Sequence, residues 1–342
     1  MRSGSWPEPT TGKLTASNAL LRRTIVRGRP VAHARRFRFG IQLHTASSGK
    51  EWADMARRAE DLGYATLFMP DHFGDQLAPV PGLMAAADAT TDLRIGTLVF
   101  DNDYKHPVVL AKEVATLDLL SGGRMELGLG AGWMTSDYQQ SGITEDPPAV
   151  RVDRMEEGIA VLKGLFGDGP CTFSGQHYEI NGLNGMPKPA QSPHPPLLIG
   201  GGKKRVLKIA GREADIIGIN PTMPNGAADA DAAQTGLAAE TDKKLAWVRE
   251  GAGDRYDELE INLLTFACMV TDDREGLIDK VAPAFGLAPP DVAAFPHAMI
   301  GSIDQICDDL EARRQRWQAS YIVVQQDAME PMAPVVARLT GS

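Results

Sequence analysis

The chain has 342 residues, 43% hydrophobic and 23% charged, with a formal net charge of −9. That is enough apolar material for a sizeable core, in one large α/β barrel or two ordinary domains. The negative balance argues against a nucleic-acid groove or an anionic membrane surface as the main partner.

Residues 1–36 are rich in Arg, Ser, Thr and Pro and hold no apolar signal core. We expect a mobile N-terminal extension there, ahead of one domain over 37–342. Phe37 to Leu43 reads as a first strand. Trp52, Met55, Ala56, Ala59 and Leu62 then fall at helical spacing, and Gly63 stops the helix. Ala65 to Met69 is a second strand and Leu93 to Phe100 a third. Pro107 suits the first turn of a helix striped by Leu110, Ala111, Val114 and Leu117. Ser121-Gly122-Gly123 ends it, and Arg124 to Leu129 is a fourth strand. Met155, Ile159, Leu162 and Phe166 mark the next helix.

Later strand candidates are Leu197–Ile199, Ala214–Ile219, Ile261–Val270 and Tyr321–Val324. Strands alternating with helices imply parallel pairing, and this number of units favours a TIM barrel. The Gly/Pro/Asn-rich stretch from Phe166 to Pro196 reads as a small insertion, and Pro221 to Ala239 as a mobile loop. That loop and Phe285 to His297 are expected to shape a substrate pocket. No run approaches the ~18 apolar residues of a membrane span. Cys171, Cys268 and Cys307 are odd in number and lack C-x-x-C spacing, so a cytoplasmic compartment is expected.

In a barrel the loops after successive strands share one face, where chemistry is placed. His44 follows the first strand. Strand two stops at Pro70, and Asp71 and His72 follow at once. His72 suits an acid/base role because imidazole titrates near neutral pH. Asp71 would orient it or bond a cofactor, and His44 is a second candidate. Asp101, Asn102 and Asp103 follow strand three. Gly128-Leu-Gly130-Ala131-Gly132 lacks side chains at alternate positions, which admits a flat ring or merely close packing. Gly200-Gly201-Gly202 opens a helix near Lys203, and with Lys204 and Arg205 it forms a plausible phosphate grip. It is neither a Walker loop nor a Rossmann fingerprint. His106 reads as a helix-start residue, and His177, His194 and His297 have no ligand pattern. No metal site is expected.

Together, Leu67-Phe-Met-Pro-Asp-His-Phe73, Arg94-Ile-Gly-Thr-Leu-Val99, Tyr104-Lys-His-Pro107, the run Leu117 to Trp133, Arg151 to Glu156 and Pro196 to Gly202 form one pattern. Ile300 to Ile306 and Tyr321 to Val324 continue it. The chain resembles the luciferase-like monooxygenase superfamily, and within it the oxidoreductases that use the deazaflavin coenzyme F420. The resemblance implies a TIM barrel with insertions. It implies a deazaflavin contact at Asp71, acid/base work at His72, and a non-proline cis peptide at Leu98-Val99 supporting the ring. Gly130, Ala131 and Gly132 would line the ring or its ribityl chain. Gly200, Gly201, Gly202 and Lys203 would approach the phosphate. The F420-dependent sugar-phosphate dehydrogenases carry a Trp after the His and a Glu after the glycine motif. Here Gln76 and Trp133 stand in those places, so their acid/base set does not carry over. Gln76 and Trp133 are expected in the substrate pocket, Trp133 as an apolar wall.

The leading expectation is an F420-dependent oxidoreductase that transfers hydride between the deazaflavin and a small or peptide-borne unsaturated, carbonyl or imine substrate. The alternative is an FMN-dependent monooxygenase using reduced flavin and oxygen. FMN lacks the polyglutamate tail of coenzyme F420, so a basic lane at Lys203, Lys204 and Arg205 would favour the deazaflavin. A third possibility is a non-catalytic ligand-binding barrel. Family likeness suggests a homodimer.

Overall fold

The computed structural model describes residues 35–342. The expected N-terminal extension lies outside the described residues, apart from its last two positions.

Parallel strands close into a barrel. In chain order they are Arg38–Gln42, Thr66–Met69, Arg94–Thr97, Met125–Gly130, Leu197–Gly201, Ile216–Ile219, Glu260–Leu264 and Ala319–Gln325. Each pairs with its successor, and the eighth closes on the first, from Arg38 opposite Tyr321 to Gln42 opposite Gln325. This is the expected TIM barrel. Two strand runs are cut by the structure. The third ends at Thr97, and Phe100–Asp101 re-pairs with Leu129 and Gly130. The seventh leaves the barrel after Leu264, and Ala267–Val270 pairs instead with Ala298–Gly301. Thr265 makes the break: its N–H and its hydroxyl both donate to the Val323 carbonyl, at 2.9 and 2.8 Å.

The helices form where their signals lie. Ser48 accepts the Glu51 N–H and starts Gly49–Asp61, which buries Trp52, Ala56 and Ala59. Pro107 opens Pro107–Leu120, with the His106 ring accepting the Val108 N–H. Ser302 and Gln305 form a capping box on Ile303–Trp317. The insertion after the helix Pro148–Phe166 is an antiparallel hairpin, Pro170–Ser174 with Glu179–Asn184. The stretch 221–239 is not the plain loop expected. Asp229 caps a short helix, Ala230–Gln234, and a longer one begins at Ala238. No helix among the described residues is long and apolar enough to cross a membrane.

Strand alternation sorts the barrel interior into layers. At the N-terminal end, Glu126 is buried between Arg38 at 2.6 Å and Arg94 at 2.7 Å, and the Tyr321 hydroxyl donates to it at 3.0 Å. Burial alone would raise the Glu126 pKa, but the two guanidinium groups hold it below the ordinary carboxylate range. Arg38 also pairs with Glu260 at 2.6 Å. Above this plug lies an apolar layer with Phe68, Leu198, Ile216 and Val323. Gly96 makes room for it, since a Cβ there would lie 2.8 Å from the Phe68 ring. The plug and the apolar layer seal the floor, so the barrel opens only at its C-terminal end.

Candidate active site

A cavity of about 660 Å³ occupies that open end. This is the size of a small-molecule or cofactor pocket. His44, Asp71, His72, Gln76, Leu98, Val99, Asp101, Gly130 to Trp133 and Gly200 to Lys203 line it as expected, whereas Asn102, Asp103, Lys204 and Arg205 do not. The loops after strands one and two bring His44, Asp71, His72 and Gln76; the segment just after strand three brings Leu98 and Val99. Strand four and its loop bring Gly130, Ala131, Gly132 and Trp133, and strand five brings Gly200, Gly201, Gly202 and Lys203.

His72 is held on two sides. Its Nδ1 lies 2.7 Å from Asp137 Oδ2, and its ring meets the edge of Trp133 at 5.4 Å and 85°. Asp71 therefore does not orient it. The Asp71 carboxylate turns the other way and accepts the Asp101 N–H at 3.2 Å, and burial raises its pKa. Asp137 was not among the expected residues. It sits in the first turn of the helix Thr135–Ser141, one step beyond the glycine motif.

Below Gly132 runs a second polar network. The Tyr138 hydroxyl lies 3.1 Å from Asp101 Oδ2, 3.2 Å from Asp103 Oδ2 and 3.2 Å from Arg151 Nη1. Burial pushes the Asp101 carboxyl up to about 7. Arg151 also donates to the Ala131 carbonyl at 3.3 Å, and its Nε has no partner. Among the described residues Gln76 Oε1 and Asn220 Oδ1 are likewise buried without partners, and all three residues line the cavity. Buried polar atoms left unpaired in a native fold call for an explanation, and a ligand in the cavity supplies one.

The Leu98–Val99 peptide is cis. Gln42 Nε2 donates to the Leu98 carbonyl at 2.9 Å. The glycine positions serve this element. A Cβ on Gly130 would lie 2.7 Å from Val99 Cγ2, and one on Gly200 would lie 3.3 Å from Val99 Cγ1. Gly128 packs on the Thr97 carbonyl, where a Cβ would meet its oxygen at 1.9 Å. The missing side chains therefore admit Thr97 and Val99, while Gly130 and Gly200 also line the cavity.

Gly200–Gly202 leads into the helix Lys204–Glu213, whose N-cap, Lys203, makes no side-chain capping bond. The backbone N–H groups of that first turn thus lack a side-chain acceptor. The expected basic lane is not there. Lys204 pairs with Glu250 at 3.4 Å, and Arg205 pairs with Asp153 and Glu156. Lys203 is the member of that trio that lines the cavity.

The remaining wall comes from late loops. Met223, Pro224, Asn225 and Gly226 line the cavity, as expected for part of the 221–239 stretch, and so do Leu264, Phe266 and Gln325. Residues 285–297 do not. Leu287, Val292 and Phe295 pack into a separate apolar cluster. His297 is buried behind Phe266, ring to ring at 5.4 Å, and burial pushes its pKa down to about 3. Asp137, Asn220 and Phe266 carried no motif of their own, and Arg151 opened the Arg151–Glu156 run without a role assigned to it.

A closed barrel with one mouth, a paired histidine and a built cavity there is the architecture of a barrel enzyme. The profile of the luciferase-like monooxygenase family matches residues 30–334, and the chain belongs to that family. An F420-dependent glucose-6-phosphate dehydrogenase of Nakamurella multipartita is 28% identical over 299 residues, 83% of each chain. An FMNH(2)-dependent dimethylsulfone monooxygenase of Pseudomonas putida is 31% identical over 127 residues, 37% of this chain and 35% of that one. The coenzyme F420 dependent tetrahydromethanopterin reductase of Methanopyrus kandleri has a TM-score of 0.71 at 19% identity, covering 90% of this chain and 99% of that one. At that identity the likeness speaks for the fold.

Proposed function

We propose that the protein is a coenzyme F420-dependent oxidoreductase acting on an organic carbonyl, imine or unsaturated substrate, or on its reduced form, with His72 as acid/base. One observation carries the reading: His72 lines the cavity that Leu98, Val99 and Lys203 also line, with one ring nitrogen already engaged. The relatives named for F420 support the choice of cofactor.

The residues fit such a group. Val99, Leu98 and Ala131 offer apolar contact for a flat ring. Lys203 and the uncapped helix start offer donors for an anionic phosphate. The unpaired atoms of Gln76, Asn220 and Arg151 offer hydrogen bonds to polar edges. Bound there, a deazaflavin supplies or takes up a hydride equivalent. The protein's own part is to hold both partners in line, exclude water and move a proton at His72. Asp71 is proposed as a cofactor contact, His44 as a second polar group on the substrate side, and Trp133 and Gln76 as substrate walls. A homodimer and a cytoplasmic setting are proposed alongside, on family likeness and on the free cysteines.

The second reading, a reduced-FMN monooxygenase, rests on two observations. One is the similarity to the dimethylsulfone enzyme. The other is that Lys204 and Arg205 are spent on carboxylates, which removes the cationic lane that a longer anionic tail would favour. Fluorescence titration with coenzyme F420 and with FMN, each oxidised and reduced, separates the two. Affinity for F420 at least about tenfold above that for FMN is the expected result. The reverse order makes the monooxygenase reading primary. Binding of neither by folded protein refutes both.

A further inference from the structure

We propose that Asp137 is the positioning residue for His72, fixing its imidazole as the Nδ1–H tautomer so that the Nε2 lone pair is presented to the cavity. The inference rests on the reading of His72 as the acid/base.

An ionised carboxylate only accepts hydrogen bonds. A contact of 2.7 Å between Nδ1 and Asp137 Oδ2 therefore requires the hydrogen on Nδ1. A neutral imidazole carries one N–H, so Nε2 is left as an acceptor. His72 is then set to take the proton of a substrate O–H or N–H. When it does, the imidazolium lies against a carboxylate that stabilises it. Asp137 does not itself line the cavity, so it acts through His72.

Three loops cooperate to hold the carboxylate still. His72 and the Phe73 N–H, at 3.4 Å, come from the loop after strand two. The Tyr104 hydroxyl, after strand three, donates to Oδ2 at 3.1 Å. Asp137 itself follows strand four, and its own N–H donates to the Met134 carbonyl at 3.0 Å. Its side chain is 6% exposed, against 19% for His72. Water therefore competes little for the carboxylate, and the short contact sets the tautomer. A T-shaped contact with the Trp133 ring restrains the imidazole plane.

The test is 15N NMR of the histidine rings in the full-length protein, with the His72 signals assigned by their loss in His72→Gln. The wild type is expected to show protonated Nδ1 and unprotonated Nε2 in the neutral ring. In Asp137→Ala the His72 population should move to the Nε2–H form that isolated imidazole side chains favour. Asp137→Asn keeps the shape of the side chain; it should give a mixture of tautomers, and it decides the matter if the alanine variant does not fold. Titration with coenzyme F420 should change by less than about twofold in the variants. A wild-type Nε2–H tautomer, or an Nδ1–H ring that persists in both variants, overturns the proposal. So does loss of F420 binding in a variant whose tautomer is unchanged. Failure of the wild type to bind F420 would refute the cofactor reading alone, because the tautomer is read without cofactor.

Discussion

Replacing Asp101 by Asn should make the protein more stable at alkaline pH, although it removes a charged group beside the active-site cavity. Asp101 is 8% exposed. Burial pushes its carboxyl up from the ordinary 3.8 to about 7, with the charges of Asp103 and Asp71 adding to the effect and the Asp103 N–H and Tyr138 hydroxyl opposing it. Between those two values the folded protein holds a proton that the unfolded chain has released. Its contribution to stability is full below pH 3.8, falls as pH rises, and is lost above about 7. At about 1.4 kcal/mol per pH unit, the ceiling of the penalty is about 4 kcal/mol. Asparagine carries no charge at any pH. Its oxygen can accept the Asp103 N–H, now 2.9 Å from Oδ1, and its amide can donate to the Tyr138 oxygen. The freed hydroxyl then turns to Asp103 Oδ2, 3.2 Å away. Urea denaturation at pH 4, 6 and 8 is the assay. At pH 8 the variant should gain about 2–4 kcal/mol, equivalent to a Tm rise of roughly 3–6 °C, and the two proteins should converge toward pH 4. A variant less stable at pH 8, or one with the wild-type pH slope, would refute the reasoning.

Glu126→Gln should act in the opposite pH range. The Glu126 carboxyl is held below its ordinary 4.5 by Arg38 and Arg94 against the effect of burial, so its stabilisation is present above that value and lost as pH falls below it. Denaturation above pH 5 should show a loss of about 3–5 kcal/mol, with F420 titration unchanged because the plug lies at the opposite end of the barrel. An unchanged acid midpoint would count against the assignment. Gly128→Ala and Gly130→Ala should differ in kind. The first drives a Cβ into the Thr97 backbone oxygen and should cost more than about 3 kcal/mol in denaturation. The second presses only on the Val99 side chain. It should leave a folded barrel with weakened cofactor titration, and equal stabilities in the two variants would refute that distinction. Lys203→Ala should weaken F420 binding by roughly three- to tenfold and reduce its salt dependence, whereas Lys204→Ala, whose ammonium already faces Glu250, should do neither. Similar losses in the two lysine variants would restore the basic lane.

Much of the fold was legible because it rests on local signals. Short apolar runs, the stop at Gly63 and Pro107 at a first turn each act within a few residues, and each appears where the sequence puts it. The breaks in the third and seventh strands were not legible. Leu93 to Phe100 and Ile261 to Val270 are mostly apolar runs with no turn signal at the break, and hydrophobic period cannot tell a strand that stays in the barrel from one that leaves it. What decides is the Val323 carbonyl, which takes two donors from Thr265 and comes from a strand remote in the chain. The glycine motif stayed open to two readings for a related reason. Missing side chains mark a close approach, but not whether the approaching body is a ligand or Val99 of the same chain.

The site was legible as a set of positions and not as a set of partnerships. Asp71 and His72 are adjacent, and adjacency suggests a pair. Yet neighbours at the end of an extended strand point to opposite sides. Asp71 accordingly reaches the Asp101 amide of the next strand, while His72 reaches Asp137, across the loops after strands three and four. The same geometry explains the lysines. Lys203 is the last extended residue before the helix, whereas Lys204 and Arg205 lie in its first turn and swing outward to Glu250, Asp153 and Glu156. In a barrel mouth, then, consecutive ionisable residues should be assigned to different neighbours by default. The partner of a titratable side chain should be sought one or two loops over, on the segments that follow neighbouring strands, before it is sought in the adjacent residue.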